Sequence, residues 1–194
     1  MLDAIFAAAS CRVALAAFIF LVLSSMAIGR HNPKNRIRED LKGDYVATDS
    51  TFLYDTDKVT RMLARYEPRH YEAHERFILR DDLVYPILYS VTTILILAFF
   101  YPWGSAGPRW LVLLPLAAAV FDYAENFTML AFLRRFRADP QTSLALLKVS
   151  RVFTVAKLSV LLLSLVLLAA FFVLGLFDAK RAPASSYTRG DPPT

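Results

Sequence analysis

Four long runs almost free of charge, residues 13–29, 83–101, 110–133 and 152–177, decide what this chain can fold into. A bilayer core is crossed by about 20 apolar residues in helix. Inside it, only elements that satisfy their own backbone hydrogen bonds survive. Of the 194 residues, 56% are hydrophobic and 20% charged, where a soluble domain carries about a quarter charged. A soluble enzyme, a disordered chain and a disulfide-stapled secreted domain are excluded. The expected fold class is therefore all-α: a polytopic membrane protein with four transmembrane helices and a cytoplasmic amphipathic helical hairpin between spans one and two.

The chain divides into a first transmembrane helix (1–30), an amphipathic loop (31–82), a three-helix core with a polar centre (83–177) and a tail (178–194). The tail is rich in Pro, Ser, Thr and Gly and is expected to be disordered. The first run is the shortest, and extends back through Ala7 if Arg12 snorkels to the interface. It reads as a retained helix rather than a cleaved signal peptide, because Asp3 and no basic residue precedes Arg12. The single cysteine, Cys11, permits no intrachain disulfide and reads as a small buried residue at a helix start.

Basic residues set the expected orientation. Sixteen Lys and Arg fall in residues 30–82 and 134–151, against five at the other ends of the spans. Both long loops are thus expected in the cytoplasm and both termini outside it. A bacterial inner membrane fits this bias best, with an organellar membrane as the alternative. Topology accounts for the net charge of +5, so no nucleic-acid partner is expected. The seven residues 102–108 form a breaker-rich turn that makes spans two and three antiparallel neighbours. Trp103 and Trp110 sit at the expected outer interface.

Within residues 31–82, Asp55 or Thr56 can cap a helix over about 57–66, with Val59, Met62, Leu63 and Tyr66 on one face. Pro68 suits the first turn of a second helix that runs on into span two. His70 and His74, four apart, have a spacing that can chelate zinc. They lack the glutamate placement of a metalloprotease motif and read as a solvated helix face. No metal site is assigned, and no cofactor can be named from the residues.

Charged groups inside a span are costly and face the bundle interior. Span three carries Asp122, Glu125 and Asn126 on one helix face, continued outward by Ala119, Ala118 and Pro115. Span four offers Lys157 at matching depth, on a face with Ser150, Thr154, Leu161 and Ser164. Its long stem can meet Glu125 or Asp122. Span two adds a stripe of Asp82, Tyr85, Tyr89, Thr92 and Thr93. Pro86 has no amide hydrogen, so the Asp82 carbonyl loses its helical donor. Eight residues, Asp82, Tyr85, Tyr89, Asp122, Glu125, Asn126, Thr154 and Lys157, form the expected intramembrane polar centre.

The order Asp82-x-x-x-Pro86-x-x-Tyr89, Asp122-x-x-Glu125-Asn126, Thr154-x-x-Lys157 resembles a family of four-helix integral membrane proteins of bacteria and some fungi. Relatives also carry an amphipathic segment like residues 54–66 before the second span. The resemblance covers roughly residues 54–168 and leaves out the first span, the basic stretch 30–35 and the tail. It implies a fold and a shared polar centre; the family has no assigned activity, so no reaction follows from it.

The polar centre is compatible with three functions. The leading expectation is a non-enzymatic structural or accessory subunit of a membrane complex, its partners the lipid bilayer and other membrane subunits or further copies of itself. A small transporter or lipid- or ligand-binding protein is one alternative. A membrane enzyme acting on a lipid headgroup through Asp122, Glu125 and a metal is the other.

Overall fold

In a computed structural model, residues 1–101 and 108–181 are described, with side chains through Leu174. Expectations for the turn at 102–107, including Trp103, and for the tail beyond 181 lie outside the described residues. Every regular element described is helical. In chain order these are α1 (Leu2–Ala8), α2 (Cys11–Arg30), α3 (Lys34–Leu41), α4 (Thr56–Ala64), α5 (Pro68–Arg76), α6 (Asp82–Phe100), α7 (Leu114–Ala138) and α8 (Ala145–Arg181). A π turn, Phe77–Asp81, makes α5 continuous with α6, and a 3-10 turn, Arg109–Leu113, leads into α7.

Four of these stretches are long and apolar enough to cross a membrane: Cys11–Arg30, Pro68–Phe100, Arg109–Ala138 and Ala145–Leu174. α7 is the centre of the bundle, packing most extensively on α8 and then on α6. Its small residues explain why: Ala118 is fully buried and Pro115 and Ala119 nearly so, letting neighbouring backbones approach closely. α2 is peripheral. It packs on α6, and only 6% of its apolar window is buried.

The first span does not run back through Ala7. The helix breaks at Ala9–Ser10, where the Ser10 side chain accepts a bond from Val13 N and caps α2. A hydroxyl there satisfies an otherwise orphaned amide, so Ser10 starts a new helix rather than continuing α1. Phe6 of α1 packs edge-on against Tyr101, in a cluster with Leu97, Val112 and Phe171. Cys11 stands at the helix start but is exposed, correcting the expectation of burial, because α2 has few neighbours to cover it.

At the opposite end of the bundle, α3, α4 and α5 build a second core against α7 and α8. Asp55 caps α4 by accepting from Asp57 N, and Val59, Met62 and Leu63 are fully buried. Tyr66 packs between Tyr71 and the ring of His70. Phe132, Leu133 and Phe136 of α7 and Leu147 of α8 close this core from below. The two histidines are not a solvated face. His70 and His74 are buried: Nδ1 of His70 accepts from Glu67 N at 3.1 Å, so its Nε2 donates to Asp40 at 2.9 Å. α3 covers that face, and its contribution was not anticipated, although Ile37 and Leu41 have helical spacing.

Candidate functional site

The polar residues of three spans meet where α6, α7 and α8 cross. Lys157 of α8 reaches α7, its Nζ 3.1 Å from Asp122 Oδ1 and 2.6 Å from Glu125 Oε2. The first is a directed hydrogen bond; the second is an ion-pair contact without hydrogen-bond alignment. A third acceptor comes from the 42–55 loop: Nζ donates to the backbone carbonyl of Asp49 at 3.0 Å. The ammonium thus makes two hydrogen bonds, to Asp122 and the Asp49 carbonyl, and one ion-pair contact, with Glu125. Tyr89 of α6 donates to the other Asp122 oxygen at 3.0 Å.

The second junction lies at the start of α6. Asn126 Nδ2 donates to the Asp82 carbonyl at 3.1 Å, the carbonyl that Pro86 leaves without a helical donor. One residue on, Tyr123 donates to the Leu83 carbonyl at 2.6 Å. Farther along α6, Ser90 donates to the Pro115 carbonyl at 2.8 Å. α7 and α6 are therefore joined by side-chain to backbone bonds along the first half of α6.

Of the eight expected residues, Tyr89, Asp122, Glu125 and Lys157 are brought into direct contact, and Asn126 joins through backbone. Thr154 is fully buried but donates within its own helix, to Ser150 O at 3.1 Å. Tyr85 stacks edge-on against Tyr89, 5.6 Å between centroids, and its hydroxyl lies 3.5 Å from Ser25 of α2. The stripe on α6 serves two neighbours, since Thr92 turns to α2 and donates to Ala17 O at 3.3 Å.

Two residues of the site were not foreseen. Asp49 offers its carbonyl to Lys157 and its carboxylate to Lys34 Nζ, 3.1 Å away. Lys34 is itself buried, its ammonium 3.8 Å from the centroid of Phe77. Burial disfavours both charges, yet each holds the other in its charged form: the field and hydrogen bond of Lys34 keep Asp49 down at about 2, and Asp49 raises Lys34 above its ordinary value. Asp49 sits in an irregular loop and leaves no periodic signal, whereas Lys34 shares the buried face of α3 with Ile37 and Leu41.

Beside the Lys157 cluster lies a cavity of about 400 Å³. Its wall is drawn from α2 (Ser25, Ile28), the loop (Asp49), the start of α6 (Asp82, Tyr85) and α8 (Leu161), and includes Asp122 and Lys157. Among the described residues no group of three His, Cys, Asp or Glu is placed to hold a metal ion. No protein-family model matches this chain, and no curated protein or solved structure does so at a significant level. The motif resemblance therefore carries no activity.

Proposed function

We propose that this chain is a multi-pass integral membrane protein acting as a non-enzymatic accessory subunit of a membrane assembly, with its long loops in the cytoplasm and its termini outside. On this reading α4 and α5 form a hairpin that caps the bundle on the cytoplasmic side. The polar centre is a lock that sets the angles of α6, α7 and α8 and leaves the outer faces of α2 and α8 for lipid or partner helices.

The observation that carries this reading is the enclosure of Lys157 by the protein's own groups. Its ammonium is hydrogen-bonded to Asp122 and the Asp49 carbonyl and ion-paired with Glu125, so its charge is committed inside the bundle. A cation held this way organises structure, because removing any partner leaves buried charge uncompensated. Native mass spectrometry of the protein released gently from its own membrane tests it. The expected result is partner chains in fixed ratio, with loss of that assembly in an Asp122→Asn, Glu125→Gln variant. A wild type that is always monomeric, or a variant that assembles normally, overturns it.

A second reading, a small ligand-binding or transport protein, is favoured by the cavity. Its volume lies in the usual range for small-molecule sites, about 300–1,000 Å³, and its wall mixes apolar, aromatic and ionisable groups.

A further inference from the structure

Two ammonium groups of the protein's own are held at this cavity: Lys157 lines it, and Lys34 is held by two lining residues, through the Asp49 carboxylate and the face of Phe77. Lys157 is held by Asp122, Glu125 and a backbone carbonyl. Both pairings use the same means, a carboxylate with a second electron-rich group, and both take the cation out of water. Four carboxylates contribute to this region, Asp49, Asp82, Asp122 and Glu125, against the two ammoniums Lys34 and Lys157.

Asp82 is the carboxylate with no cation in direct contact, although the charges of Lys34 and Lys157 reach it through space. Its backbone carbonyl is used by Asn126, but among the described residues its side chain makes no hydrogen bond or ion pair. It lines the cavity together with Tyr85 and Tyr89, whose rings are attractive to a cation. Ile28, Leu158 and Leu161 supply apolar wall alongside. A free inorganic cation would use only the carboxylate and would leave that apolar wall wet.

Resting on the ligand-binding reading, we propose that this cavity binds a small organic ammonium ion, a protonated amine with an apolar body, with Asp82 as its counter-ion. The ammonium sits against Asp82 and the tyrosine rings, and the apolar body lies between α2 and α8 against Ile28 and Leu161. Asp82 thereby takes from a ligand what Asp49 and Asp122 take from lysines of the chain.

The test compares 4-phenylbutylamine with its neutral isostere 4-phenylbutan-1-ol by equilibrium dialysis against the full chain in a neutral detergent. The amine should bind at least tenfold more tightly than the alcohol. Asp82→Asn should remove that preference, and Asp81→Asn, a change at a carboxylate already paired with Arg80, should keep it. Leu161→Trp, which fills the cavity from α8, should weaken both compounds. Equal binding of amine and alcohol, blocked by Leu161→Trp, overturns the ammonium assignment and leaves the ligand-binding reading standing. Binding of neither, or binding indifferent to Leu161→Trp, overturns both. If Asp82→Asn does not fold, the amine-to-alcohol ratio in wild type and Leu161→Trp protein decides alone.

Discussion

The side-chain amide of Asn126 donates to the carbonyl of Asp82, 3.1 Å away, in the place of the backbone N–H that Pro86 lacks. A proline inside a membrane helix is tolerated when a neighbouring helix satisfies the freed carbonyl, and here α7 does so for α6. The two residues are 44 positions apart in sequence, yet each explains why the other is acceptable in an apolar setting.

This relationship predicts a coupling. Asn126→Leu leaves the Asp82 carbonyl orphaned and should cost about 1–3 kcal/mol. In a Pro86→Ala background the backbone amide returns, so the same change should cost at least ~1 kcal/mol less. Denaturant unfolding of the four proteins in detergent measures the difference. Strict additivity would show that Asn126 acts elsewhere.

Lys157→Met should be among the most damaging single changes, at about 3–5 kcal/mol, because it leaves Asp122 and Glu125 buried without their cation. The pair itself adds little net stability, since interhelical polar contacts in membranes average under about 1 kcal/mol; the loss comes from stranding its partners. Exchange of the charges, Glu125→Lys with Lys157→Glu, should recover part of it. Thermal unfolding of the singles and the double variant reads this out, and a double variant worse than both singles would break the assignment.

The Lys34–Asp49 pair sets two pH edges. Asp49 is held at about 2, below its ordinary 3.8, so its contribution is present above about 4 and is lost as pH falls towards 2. Lys34 is raised above 10.5, so its contribution is present below that value and lost as pH climbs through its folded value. Lys34→Met should flatten both edges, which unfolding midpoints measured across pH will show. An acid edge unchanged by the substitution would mean other carboxylates set it.

Phe132 and Phe127 lie on opposite sides of α7, the first fully buried and the second 57% exposed. Phe132→Ala should cost about 3–5 kcal/mol by opening a cavity in the core beneath α4 and α5. Phe127→Ala, on the exposed side, should stay within about 0.5 kcal/mol. Chemical unfolding of the two variants side by side distinguishes them.

Much of the fold was legible because its signals are local. Apolar runs of membrane length mark the spans, and Asp55 and Pro68 mark helix starts that the structure keeps. The faces of α7 and α8 were also legible, since a charge in an apolar helix has to turn inward. The break at Ser10 was missed because an apolar tract on both sides outweighed one capping hydroxyl. His70 and His74 were misread because nothing near them in sequence announces that α3 covers them.

The sequence by itself determined which residues had to turn inward: Asp122, Glu125, Asn126 and Lys157 are polar groups in helices long and apolar enough to cross a membrane. Only the tertiary structure decided how they are shared. It brought an irregular loop under Lys157, matched Asn126 to the carbonyl that Pro86 frees, gave Lys34 to Asp49, and left Asp82 on a cavity wall without a cation in direct contact. The reason is physical. Burial is a property of one helix face and can be read along one segment, whereas a partner is fixed by the crossing of several segments, and periodicity along any one of them carries no record of that crossing.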